Sequence, residues 1–179
     1  MPLPNECMCR IEFAKTFRGI NYCCNMDSEL ASTLDSVRKM SLDMLKIAYQ
    51  ISIPAHLAVP VSFWEAYADN KRLAIRLRAC LLIWAASGKG IVPNEFQLKA
   101  TIATMSGQDS LIDVGTGYGK MLCMITPCLL DPKSISIVVS PLKRLQAVHV
   151  LEFECYGVKT VSINEDTLND PQLWKVWQS

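Results

Sequence analysis

The chain has 179 residues, half of them hydrophobic and a fifth charged, which suits a globular core and excludes long disordered tracts. A net charge of +1 excludes a global excess for binding polyanions, so any nucleic-acid contact must come from a local basic face. Met1 to Arg10 shows no secretory pattern, and the longest apolar run, Ala79 to Ala86, is too short to cross a bilayer.

Residues 1–26 lack periodicity and are expected to form an irregular leader. The leader holds Cys7, Cys9, Cys23 and Cys24, spaced CxC and then CC rather than as the paired CxxC knuckles of structural zinc. Free thiols in an intracellular protein are the expectation, with no metal site and no membrane partner.

Residues 27–90 are expected to be a helical accessory region. Asp27 caps a predicted helix over Ser28 to Met40, with Leu30, Leu34 and Val37 at helical spacing. A second helix, Ser41 to Ile51, places Met44, Ile47 and Ile51 on one stripe, expected to face the core. Pro54 and Pro60 interrupt the chain. Ser62 with Glu65 makes a capping-box signature for a third helix running to Ala86 and ending at Gly88. Lys71, Arg72, Arg76 and Arg78 on it are the densest basic group, read first as a solvated helix surface and second as a polyanion face.

From Ile91 the pattern changes. A helix is predicted from about Glu95 to Ser106, then short apolar runs at Leu111 to Val114, Ser134 to Val139 and Lys159 to Ile163. These alternate with helices starting near Lys120 and Pro141, the second reaching about Cys155. Strand–helix–strand order of this kind predicts an α/β fold, a doubly wound parallel sheet carrying the N-terminal helical appendage.

The segment richest in chemistry is Val114-Gly115-Thr116-Gly117-Tyr118-Gly119-Lys120-Met121. Glycines between a buried strand and a helix start let the backbone turn tightly and aim successive N–H groups at an anion. A lysine at the helix entrance can reach the phosphates of a nucleotide. An ordinary glycine turn is the competing interpretation. One position departs from GxxxxGK[ST]: Met121 stands where a hydroxyl would hold Mg²⁺, and a thioether is a poor ligand for that hard ion.

Phe96-Gln97, Gly107-Gln108-Asp109, GTGYGKMLC, Pro127 and Ser140-Pro141-Leu142-Lys143 follow one another in an order that resembles the opening motifs of RecQ-like DNA helicases of superfamily 2, the DEAD/DEAH type. Gln97 precedes Lys120 by 23 residues, matching that family's interval between its adenine-reading glutamine and its loop lysine. The resemblance implies that residues 91–179 are an incomplete RecA-like ATP-binding lobe, a partial P-loop parallel sheet. It implies ATP with Mg²⁺ as cofactor, held by Gln97, Gly115, Thr116, Gly117, Tyr118, Gly119, Lys120 and Met121, the metal weakly because of Met121. It also implies DNA as partner, contacted by Ser140, Lys143 and Arg144, 3′–5′ helicase activity in the family, and a nuclear location in a eukaryote.

A DExH or DExD box and a second lobe are missing from the sequence, so no catalytic residue is assigned and the chain alone is not expected to unwind DNA. Asn164-Glu165-Asp166 lies too early and in the wrong order for such a box. Three functions compete. The chain is a helicase segment, or a degenerate module or remnant that binds nucleotide or nucleic acid without turnover, or another P-loop enzyme such as a nucleotide kinase. The last lacks visible acceptor-site residues.

Overall fold

The computed structural model describes residues 28–60, 62–63 and 69–167. The expected leader with its four cysteines, the Asp27 cap and Glu65 of the Ser62 capping box lie outside them. Six helices are formed among the described residues: α1 (Ser28–Lys39), α2 (Leu42–Ser52), α3 (Asn70–Ala86), α4 (Glu95–Met105), α5 (Met121–Leu130) and α6 (Lys143–Cys155).

Helix α3 is the centre. Its residues Leu77, Ala79, Cys80, Leu81, Leu82, Ile83, Trp84 and Ala86 are all buried, the mark of a helix packed on most sides. It touches α1, α2, α4 and α5. One apolar cluster joins Leu34 and Val37 of α1, Leu45 of α2, Leu82 and Ile83 of α3, Ile125 and Leu129 of α5, and Phe153 of α6. A smaller one joins Val59, Phe63, Ala79, Cys80 and Leu98. Each fully buried Leu or Ile stabilises the fold by about 1.5–3 kcal/mol.

Caps decide where these helices start. Ser41 accepts from the Met44 amide at 3.4 Å and opens α2. The predicted helix from Ser62 to Ala86 is not continuous, because Asp69 takes an extended backbone and accepts from the amides of Lys71 (2.8 Å) and Arg72 (3.4 Å), starting α3 anew. Helix α2 also corrects an expectation. Leu45 faces the core, while Met44, Ile47 and Ile51 are 55%, 57% and 80% exposed. The helix is apolar on two faces, and α3 takes the Leu45 face.

The basic group on α3 is divided: Lys71 and Arg72 are exposed, whereas Arg76 and Arg78 turn inward. Arg76 is wholly buried, donates from Nη1 to the Phe63 carbonyl at 3.1 Å and lies 5.4 Å from that ring's centroid. Arg78 donates to the carbonyls of Met40 (3.0 Å) and Val37 (3.4 Å), satisfying the end of α1. Arg72 pairs with Asp69. Arg38 of α1 donates to Leu129 at the end of α5 at 2.7 Å.

The parallel sheet, and with it the α/β fold class, is overturned: there is no strand among the described residues. Leu111–Val114, Ser134–Val139 and Lys159–Ile163 are joined by no backbone hydrogen bond. Leu111 is 96% exposed, Ile137 85% and Val139 91%. A β-branched run states that a segment suits a pleated surface, not that a neighbour exists to complete the ladder. Without that neighbour the described residues form a helical assembly joined by irregular connections.

Candidate nucleotide-binding loop

The glycine loop is suspended between α4 and α5. At its far end, Asn94 caps α4 by accepting from the Gln97 amide at 3.2 Å, and the Gln97 side-chain Oε1 accepts from the Asn94 amide at 2.9 Å. The Asn-x-x-Gln spacing is the sequence signal of this reciprocal capping box. The other end of the same amide reaches the loop. Gln97 Nε2 donates to the carbonyls of Gly119 at 2.8 Å and Tyr118 at 3.4 Å. Gln97 is only 4% exposed, so its side chain is a strut between helix cap and loop.

Within the loop, Gly117 and Gly119 have φ of +87° and +74°, the left-handed region that a Cβ disfavours. A Cβ on Gly119 would sit 2.9 Å from Gln97 Nε2, whereas one on Gly117 would meet nothing within 4 Å. The Tyr118 ring lies over Gly115. Lys120 Nζ folds back and donates to the carbonyls of Val114 and Gly115, both at 2.8 Å. The amides of Gly115 to Met121 donate to no described residue.

Those amides and the ammonium form the donor set. Two neutral carbonyls are weak partners for an ammonium, and phosphate oxygens are stronger ones. Helix α5 begins at Met121 with no side-chain cap, so its positive end is turned to the loop. The arrangement suits a polyphosphate. It does not supply the usual magnesium ligand: Met121 is partly buried and packs against the main core, and its sulfur is too soft for that ion.

The residues singled out for nucleic acid lie elsewhere, at the start of α6. Lys143 Nζ pairs with Glu165 Oε1 at 2.5 Å and Asp166 Oδ2 at 2.7 Å. Hydrogen bonds to Asp166 and then Glu165 push its pKa upward. Arg144 is exposed. The Ser140 hydroxyl is buried without a hydrogen-bond partner. Gln146, which sequence reasoning missed, ties the region together: it donates to the Ser140 carbonyl at 2.8 Å and accepts from Ser162 and Asn164, both at 3.1 Å. Nothing in a lone glutamine on a helix signals such a hub. A cavity of about 610 Å³ lies between α6 and the irregular segments 132–140 and 157–163, and no residue of the glycine loop lines it.

Thiol chemistry is not on offer at the described core cysteines. Burial pushes the Cys80 thiol up to about 12 and the Cys123 thiol up to about 11. No helix among the described residues is long and apolar enough to cross a membrane.

Over 95 residues, 49% of the chain, the sequence is 32% identical to a Caenorhabditis briggsae protein provisionally named ATP-dependent DNA helicase Q1. Over 92 residues, 47% of the chain, it is 32% identical to a Caenorhabditis elegans protein of the same provisional name. About half of the chain is helicase-related. The stretch in common covers 15% and 14% of those two proteins. No family model and no solved structure matches the chain.

Proposed function

We propose that the helicase-related chain is the ATP-binding and nucleic-acid-binding segment of an ATP-dependent 3′–5′ DNA helicase of RecQ-like type. The observation that carries this reading is the Lys120 ammonium resting on the Val114 and Gly115 carbonyls beside a run of amides that donate to no described residue. Phosphate oxygens would take the lysine from those carbonyls and accept from Gly117, Gly119 and Lys120. Gln97 would offer its amide to the adenine edge, and Thr116 and Tyr118 would flank the phosphates. Ser140, Lys143 and Arg144 would lie against a DNA phosphate.

Magnesium supplies charge neutralisation on the phosphates in such helicases, and this chain offers it no hydroxyl at Met121. That favours a second reading for the chain by itself, a module that holds nucleotide without turning it over. A titration with a fluorescent ATP analogue tests the first reading. Lys120→Ala should weaken binding about tenfold or more, the loss of a charge-assisted contact of roughly 1.5–3 kcal/mol. Equal affinity in the native chain and the variant would refute it. Release of inorganic phosphate by the native chain would refute the second.

A further inference from the structure

The acidic pair that holds Lys143 is used by nothing above. Glu165 Oε1 and Asp166 Oδ2 lie 2.5 Å and 2.7 Å from the Lys143 ammonium, taking two of its three donors. The turn that carries them is built by its own bonds. The Asn164 amide donates to Thr167 Oγ1 at 2.8 Å, the Asp166 amide to Asn164 Oδ1 at 3.0 Å, and the Thr167 amide to the Asn164 carbonyl at 3.0 Å. Its anchor is separate from its acidic tip. Asn164 Nδ2 and the Ser162 hydroxyl both donate at 3.1 Å to Oε1 of Gln146, which stands one turn along α6 from Lys143. Neutral contacts that do not involve the ammonium thus set the carboxylates beside it.

We propose that the turn at 164–167 is an acidic gate on Lys143, closed in this structure and opened by a nucleic-acid strand whose phosphates displace Glu165 and Asp166. The inference rests on the reading of Lys143 as a DNA contact. One ammonium against two carboxylates leaves this spot net negative, so an arriving phosphate is repelled until the carboxylates withdraw. Withdrawal is within reach. The Glu165 and Asp166 side chains are 77% and 69% exposed, so the pairs are weak enough to exchange and water solvates the acids once released. A lone anion must win Lys143 from two local competitors by itself. A strand presents neighbouring phosphates to Lys143 and to the exposed Arg144 together, and the second contact helps to hold the first. The gate therefore favours a polyphosphate strand over a single anion.

Fluorescence anisotropy of the full chain with a labelled single-stranded DNA oligonucleotide at low salt tests it. Glu165→Gln with Asp166→Asn should tighten binding about threefold to tenfold, and raised salt should erase most of that gain. Added to Lys143→Ala, the same two substitutions should change affinity little. Helical circular dichroism should not move, because both side chains are exposed; Glu165→Gln alone serves, with a smaller gain, if the pair folds poorly. An equal gain with and without Lys143→Ala overturns the gate, since the acids would then act through the general field of the chain. No gain, while Lys143→Ala still weakens binding, overturns the gate and leaves the DNA reading standing. If no variant binds, or if neither Lys143→Ala nor Arg144→Ala weakens binding in either background, the DNA reading falls and the gate falls with it.

Discussion

Replacing Gly119 by alanine separates two effects that the loop combines. At φ +74° a Cβ costs about 1–2 kcal/mol in backbone strain. The same Cβ would lie 2.9 Å from Gln97 Nε2, so the amide must leave the Gly119 carbonyl it now holds at 2.8 Å. Losing that bond costs about 1 kcal/mol, more if the buried amide finds no substitute. Gly119→Ala should therefore destabilise the chain by about 2–4 kcal/mol. Gly117→Ala carries the strain alone, because φ is +87° there and nothing lies within 4 Å of the new atom, and should cost about 1–2 kcal/mol. Urea unfolding followed by circular dichroism measures both, and a cycle with Gln97→Ala isolates their coupling. Equal losses for the two alanines, together with a coupling near zero, would refute the strut.

Three further outcomes follow from the same structure. Burial raises the Glu152 carboxyl from 4.5 to about 7, so the folded chain holds this proton more tightly than the unfolded one. Its contribution is then fullest below pH 4.5 and is lost as pH rises to about 7. Because the group is partly exposed, Glu152→Gln should add only about 1–2 kcal/mol at pH 8 and nothing at pH 4, as pH-resolved denaturation would show. Arg78→Ala leaves the Met40 and Val37 carbonyls without their donors and should lower stability by about 1–3 kcal/mol, with Arg78→Lys recovering part of it. Met121→Thr restores a hydroxyl, and Mg²⁺ should then strengthen nucleotide binding about threefold to tenfold more than in the native chain. Identical metal dependence in the two titrations would count against a magnesium role at that position.

The helices were legible where local chemistry decides them. Ser41 announces α2, and the apolar spacing of Leu34 and Val37 in α1 is the spacing that the core uses. Glycines and a lysine in one short stretch made the loop readable, because φ and charge are properties of single residues. The strands were not readable in the same way. Ser134–Val139 has the composition of a buried strand, yet a ladder is a relation between two segments and no local pattern encodes the second. Helix α2 misled for a related reason: two apolar faces compete for the core, and only packing against α3 chooses Leu45 over Ile47. Nor does any spacing show that Lys143 meets Glu165 and Asp166, some twenty residues away.

The double duty of Gln97 makes the loop audible at a distance. Its Oε1 holds the Asn94 amide at 2.9 Å while its Nε2 holds Gly119, so any ligand that recruits this side chain must loosen the first turn of α4. The Asn94 N–H then becomes a remote indicator of events at Gly119. Its exchange with solvent should quicken when the amide is drawn toward a base, and stay unchanged when only phosphate is bound. A single backbone proton would thereby tell recognition of the base from recognition of the charge.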